Sequence, residues 1–280
     1  MAILLDKVIY KYPKRVIPAL NVPHEEIGAG IHLLLGENGA GKTTLLHLMA
    51  GLLFPSEGCC LVDGTDTRLR LPSVTGRTAY MSADMRLPGR NVAEMVRIHS
   101  GFFPNFSLDM LARNLEDFAI DEEKKFKDMS LGTRQKAVIA YFLSLGTDYL
   151  LLDEPANGLD IESKETLARM MVRNIRADQT VVVSTHTISD LQNIYDGVVI
   201  MRQGRIQLAM NMDELSRMIA FTETPVPPAD ALYSEPRAGR YRGIVRAGTH
   251  EDSECDIDFH LLYNALHNER FSSRFSELKN

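Results

Sequence analysis

GENGAGKT, residues Gly36 to Thr43, has the form G-x-x-x-x-G-K-[ST]. On its amino side, Ile31 to Leu35 is a compact apolar run that ends at a glycine, the pattern of a short buried strand. On its carboxyl side a helical pattern starts at Lys42. Leu45, Leu46, Leu48 and Met49 fall on the buried side and Gly51 supplies a stop. A glycine-rich turn between a strand and a helix is the context in which this motif cradles phosphate. Gly36, Gly39 and Gly41 permit a tight loop, with Asn38 and Ala40 between them, whose backbone N–H groups converge on phosphate oxygens. The helix N-terminus adds partial positive charge. Lys42 is placed to reach the β- and γ-phosphates. The Thr43 hydroxyl is placed to ligate Mg²⁺, and Thr44 to contact a nearer phosphate.

YLLLDEP, Tyr149 to Pro155, is a second signal: a wholly apolar strand ending in two carboxylates. Asp153 at the strand's end suits Mg²⁺, directly or through water. Glu154 is placed to polarise an attacking water. Together with the phosphate loop, this strand predicts an Mg-nucleotide site.

The rest of the chain fits one large domain with an appendage. It has 280 residues, 45% of them apolar and 24% charged. Its apolar runs fall far short of the roughly 20 residues that span a bilayer, and MAILLDKV has no signal-peptide pattern. A cytoplasmic location is expected. The net charge of −6 argues against broad nucleic-acid binding. Three cysteines, Cys59, Cys60 and Cys255, fit neither a disulfide framework nor a zinc site and predict reduced thiols.

Short strands fill residues 1 to 35, with further strands at Cys59–Val62 and Arg77–Ser82. Residues 88 to 147 turn helical, over Asn91–His99, Leu108–Phe118 and Arg134–Leu145. Strands return at Asp148–Asp153 and Thr180–Thr185 around a helix over Ser163–Ile175. Gln203-Gly204 predicts a hairpin between Val198–Met201 and Ile206–Ala209. Asn211 with Glu214 predicts a capping box for a helix to about Ile219. The proline-rich stretch 224 to 229 reads as a linker or loop. A strand near Arg242–Arg246 and a helix near Phe259–His267 follow it. Strands alternating with helices indicate an α/β core with a parallel sheet.

The order of the remaining motifs resembles the ATP-binding subunits of ABC transporters over residues 2 to 215. MSLGT, Met129 to Thr133, stands where that family carries its signature. NGLD, Asn157 to Asp160, looks like its D-loop, and STH, Ser184 to His186, like its switch histidine. Alone, MSLGT is only a helix cap and His186 a structural histidine. The resemblance implies a P-loop NTPase core with a mainly parallel sheet. Around it would lie an N-terminal antiparallel β subdomain, a helical insertion and a small C-terminal α+β appendage. Residues 1–220 would form the ATP-binding domain, with its helical subdomain at about 88–147, and 221–280 an accessory segment. It further implies an Mg²⁺-dependent ATPase that dimerises head to tail, with itself or a sibling subunit, around two ATP molecules. Ser130, Leu131 and Gly132 would then meet the partner's γ-phosphate, with Asp160 beside them. Glu154 would be general base, and Lys42 and His186 would contact the γ-phosphate. Tyr12 in YKYPK matches the aromatic that stacks on adenine, with Tyr10 the neighbouring alternative.

An integral-membrane transporter subunit as partner, with this chain peripheral on the cytoplasmic face of the cell membrane, follows from the same resemblance. HSGFFPNFSLDML (99 to 111) and CDIDFHLLYNAL (255 to 266) resemble members that serve exporters with separate membrane subunits. The signature departs from the family with Leu131 for the usual Gly and Thr133 for the usual Gln. Ala83 stands where a Gln is usual, with Asp84 next to it. A soluble ABC-type ATPase and a weakly catalytic regulatory module are the alternatives.

Overall fold

The computed structural model describes residues 1–82, 85, 88–187, 194–248 and 257–278. Ala83, Asp84 and Cys255 lie outside them. The chain divides into two compact units, Met1–Leu208 and Ala209–Asn280.

The first unit opens with β1 (Ile3–Tyr10), β2 (Leu20–Ile27) and β3 (Gly30–Leu35). Then come α1 (Lys42–Met49), β4 (Glu57–Val62), β5 (Thr65–Asp66), α2 (Pro72–Thr75) and β6 (Thr78–Met81). Helices α3 (Val92–His99), α4 (Leu108–Asp117) and α5 (Leu131–Leu143) follow. The unit continues with β7 (Tyr149–Asp153), α6 (Ile161–Asn174), β8 (Thr180–Thr185), β9 (Gly197–Arg202) and β10 (Arg205–Asn211). β2-β1-β4-β5 form an antiparallel sheet, and a six-stranded sheet has the order β10-β9-β3-β8-β7-β6. Within the second sheet β9, β3, β8, β7 and β6 run parallel. β7 and β8 are buried along their whole length, which is why YLLLD and TVVVST show no polar alternation.

Parallel register brings the carboxyl ends of three strands to one edge. Leu35 pairs with Thr185, and Asp153 with Ser184. The residues just past those ends belong to the phosphate loop, the DEP turn and the STH turn. Open parallel sheets bind their ligands at this edge.

The expected helices are present, with boundaries set by caps. Asn91 caps α3 through Glu94 N–H, and Ser107 caps α4 through Met110 N–H. α5 begins at Leu131, ahead of the expected Arg134, because Ser130 caps it. Helices α4, α5 and α6 meet at Asn114, which is 0% exposed. Its Nδ2 donates to the Ala140 carbonyl at 3.2 Å and to Ser144 Oγ at 3.0 Å. Its Oδ1 accepts from Arg173 at 3.0 Å and Asn174 at 2.7 Å. The aromatics of the insertion are largely core: His99 and Phe103 pack at 5.2 Å, Phe106 and Tyr141 at 5.7 Å, and Phe102 alone is strongly exposed. Cys60 is buried, which pushes its thiol up to about 12, so it stays a protonated thiol.

The second unit holds α7 (Met212–Met218), β11 (Ile219–Thr224), β12 (Tyr233–Arg237), β13 (Arg240–Arg246), α8 (Phe259–Leu266) and α9 (Glu269–Leu278). The sheet order is β11-β13-β12, antiparallel throughout. Phe221, Ile244, Leu261, Leu262 and Phe271 are buried. Asn211 caps α7, but through Asp213 N–H. Ile219 closes that helix as its C-cap and also opens a strand, because its partner is Arg246 on β13. The proline-rich stretch therefore joins β11 to β12 within the unit.

Asn114→Ala should cost about 2–3 kcal/mol, because it removes four hydrogen bonds that meet at one buried side chain. Urea denaturation followed by circular dichroism reads this directly. A change below about 0.5 kcal/mol, the size of an ordinary surface substitution, would show that the network does not hold the insertion.

Candidate functional site

The phosphate loop is shaped by contacts that exclude side chains. A Cβ on Gly36 would lie 2.7 Å from the Met201 carbonyl oxygen, so β9 and the loop can approach this closely only at glycine. Gly41 has φ +108° and occupies the N-cap of α1, where no side chain accepts from the first-turn N–H groups. A helix N-terminus with no capping side chain is left open to an anion. Ala40 is buried and its N–H donates to the Glu37 carbonyl at 3.0 Å. It braces the loop instead of facing the cleft, as does Gly36. Asn38, Gly39, Gly41, Lys42, Thr43 and Thr44 do line the cleft, an open space of about 1360 Å³.

Lys42 is 6% exposed. Its Nζ donates to the Gly36 carbonyl at 2.7 Å and lies 3.5 Å from Glu154 Oε1. Glu154 turns out of β7 with φ +51°, a left-handed conformation uncommon for a side chain of this size. Its N–H donates to Ser184, at 3.0 Å to Oγ, which fixes the turn. The carboxylate then reaches His186, whose Nδ1 donates to Oε2 at 2.9 Å. An ionised carboxylate is acceptor-only, so this bond fixes the tautomer and leaves Nε2 for another partner. Lys42 and His186 thus converge on the Glu154 carboxylate.

Asp153 is 4% exposed. Oδ2 accepts from Thr43 Oγ1 at 2.8 Å and Tyr80 O–H at 3.2 Å, while Ser184 Oγ donates to Oδ1 at 2.5 Å. Tyr80 is held protonated by burial and by the Asp153 charge. Burial draws His47, edge-on to Tyr80 at 4.9 Å, below the usual imidazole range. No cluster of three or more His, Cys, Asp or Glu side chains suited to a metal exists among the described residues. Thr43 and Asp153 nevertheless supply adjacent hard oxygens, which fit a Mg²⁺ ion that takes its other oxygens from phosphates and water.

At the far end of the cleft, Tyr12 is 37% exposed and its O–H shares a 2.8 Å hydrogen bond with Thr44 Oγ1. Tyr10 is buried and meets Tyr12 edge-on at 4.9 Å. Tyr12 therefore borders the cleft and Tyr10 supports it. Val16 and Ile17, both exposed, extend that wall, and Arg15 and Arg205 also line the space. The sequence reading assigned no role to these four or to Tyr80. They belong to no motif, and only the tertiary fold brings them to the cleft.

Ser130, Leu131, Gly132 and Asp160 do not line this cleft. Ser130 Oγ accepts from Thr133 N–H at 3.1 Å, and Leu131 stands 83% exposed at the first turn of α5. Asp160 caps α6 through Ser163, whose hydroxyl and N–H hold its carboxyl below the usual range. Gln135 Nε2 donates to the Pro155 carbonyl at 3.1 Å, and Lys136 Nζ lies 3.7 Å from Asp160. The starts of α5 and α6 therefore form one surface. Ala83 and Asp84 fall outside the described residues.

Comparison with known proteins gives these features a context. The sequence model of the family described as ABC transporter matches residues 24–157. The chain is 32% identical over 180 residues to the ABC transporter ATP-binding protein NatA of Bacillus subtilis (strain 168), covering 62% of this chain and 73% of NatA. It is 30% identical over 215 residues to the putative ABC transporter ATP-binding protein GSU3001 of Geobacter sulfurreducens, covering 74% and 77%. A solved structure, that of an ATP binding subunit of ABC transporter, shares its fold with TM-score 0.67 over 78% of this chain and 92% of that one, at 21% identity.

Gly36→Ala should lower nucleotide affinity by about tenfold or more, since the loop must move off the Met201 carbonyl. Equilibrium binding of a fluorescent ATP analogue tests this. Parent-like affinity would mean that the loop tolerates a Cβ at this approach.

Proposed function

Since the chain belongs to the ATP-binding subunits of ABC transporters, a family of ATPases, we propose that it closes as a dimer around two Mg-ATP. Closure would drive a separate membrane-spanning subunit. The observation that carries this reading is the separation of two half-sites on one molecule. The cleft gathers Lys42, Thr43, Asp153, Glu154 and His186, whereas Ser130, Leu131 and Gly132 present an exposed helix N-terminus outside it. The signature would therefore serve a nucleotide held by a second subunit, an identical copy or a sibling.

In this dimer Lys42 moves from the Gly36 carbonyl to the β- and γ-phosphates, and Tyr12 stacks on adenine. Mg²⁺, when bound through Thr43 and Asp153, neutralises charge on the phosphates. Glu154 polarises the attacking water, and His186 is oriented by Glu154 with Nε2 towards the γ-phosphate. Ser130 and the Gly132 N–H contact that phosphate from the other subunit, with Asp160 at the adjoining edge. ATP thus makes contacts in the closed state that it lacks in the open one, as a conformational motor requires. Hydrolysis removes the γ-phosphate contacts, and the dimer reopens.

No helix among the described residues is long and apolar enough to cross a membrane, so a spanning path would come from another subunit. Leu69, Leu71 and Phe102 are exposed, and the turn after α2 approaches the Phe102 carbonyl. This apolar edge offers such a subunit a place to dock on the cytoplasmic face. The export direction rests on the resemblance of the 99–111 and 255–266 stretches. The ATP-binding work falls to residues 1–220, with 221–280 accessory.

Light scattering on Glu154→Gln should show a dimer with Mg-ATP and a monomer without nucleotide. Adding Ser130→Arg should abolish the dimer while ATP still binds. If Glu154→Gln binds Mg-ATP and the Ser130→Arg combination dimerises equally well, the signature is a helix cap only.

A further inference from the structure

Asp153 is tied by three hydroxyl groups from three elements: Thr43 on α1, Tyr80 on β6 and Ser184 on β8. Thr43 follows the phosphate-loop lysine, and Ser184 lies two residues before His186. Tyr80 belongs to neither motif. Parallel pairing sets it opposite Leu151 on β7, and its phenol reaches the last residue of that strand, donating to Asp153 Oδ2 at 3.2 Å. Its ring packs edge-on against the His47 imidazole, at 4.9 Å and 74°. His47 lies four residues after Thr43 on α1, so the two share a helix face. Thr43 and the Tyr80–His47 pair therefore come to Asp153 as one packed group.

We infer that Tyr80 is a positioning residue for the metal: its hydroxyl fixes the orientation of Asp153 for a divalent cation bound with the nucleotide. The inference rests on the proposal that Thr43 and Asp153 hold Mg²⁺. Tyr80 touches neither cation nor nucleotide and acts through the carboxylate. A carboxylate held at both oxygens meets the cation in one orientation; released at one oxygen, it rotates and must be ordered again on binding. Ser184 holds Oδ1 alone, while Oδ2 depends on Thr43 and Tyr80 together. When the Thr43 oxygen turns a lone pair to the cation, Tyr80 is the donor on Oδ2 that has no second duty.

Tyr80→Phe keeps the ring against His47 and removes the hydroxyl alone. The test titrates Mg²⁺ against a fluorescent ATP analogue on the full chain, starting from EDTA. Half-saturation by Mg²⁺ should shift about tenfold upward, while the analogue's affinity in EDTA stays that of the parent. Tyr80→Met fills the space without a donor and should show the same shift, which covers the case that Phe disturbs the fold. A parent-like Mg²⁺ titration overturns the inference, as does an affinity loss of equal size with and without Mg²⁺, which would make Tyr80 a packing residue. Asp153→Asn separates the two levels. If it leaves the Mg²⁺ response intact, the metal assignment itself has failed. If it removes the response and Tyr80→Phe does not shift it, only the role of Tyr80 falls.

Discussion

A carboxylate buried at the end of a sheet strand is the constraint around which the site is arranged. An ion taken out of water costs several kcal/mol unless other groups replace its hydration. Asp153 meets that requirement with hydroxyl donors from α1, β6 and β8. The helix that follows the phosphate loop, the strand that leads to the helical insertion and the strand that leads to His186 are thereby fixed to one side chain. A shift in any of them would leave a buried charge short of a donor.

The next residue shows what this fixation allows. Glu154 leaves the strand at φ +51°, and its N–H is taken by Ser184, the residue whose hydroxyl also holds Asp153. One serine thus sets both acidic side chains, and the strained turn aims the second at Lys42 and His186. Strain of about 1–3 kcal/mol at such a turn persists because the pairing of β7 with β8 over-determines it.

The other half of the proposed machinery faces away from the cleft. The starts of α5 and α6 are joined through Gln135, Lys136 and the 155–160 turn, so Ser130 and Asp160 move with the same DEP turn that carries Glu154. In the proposed dimer, a γ-phosphate bound at the cleft and the surface offered to the partner are linked through the 155–160 turn and its two contacts with α5. Leu131, where the family has glycine, points into solvent at the first turn of α5 and leaves the cap geometry of Ser130 intact.

The phosphate loop, the DEP strand and the cap at Ser130 were legible in the sequence because each depends on a few consecutive residues. Glycines where the chain must bend, an apolar run that ends in acids, and a serine before a helix carry their physics locally. The choice of Tyr12 over Tyr10 and the roles of Tyr80, Ser184 and Val16 were not legible in that way. Tyr80 and Ser184 depend on which residue lies across from which in a sheet, and Tyr12 and Val16 on how the connection between β1 and β2 lies against the cleft; in each case the neighbours are distant in sequence. Long-range pairing also defines β11: residues 220 to 223 carry no element in the sequence reading, and their partners lie on β13. By itself, the sequence determined the chemistry that this chain offers a nucleotide. Only the tertiary structure decided which side chains orient that chemistry, because a buried charge draws its donors from whatever strand the fold sets beside it.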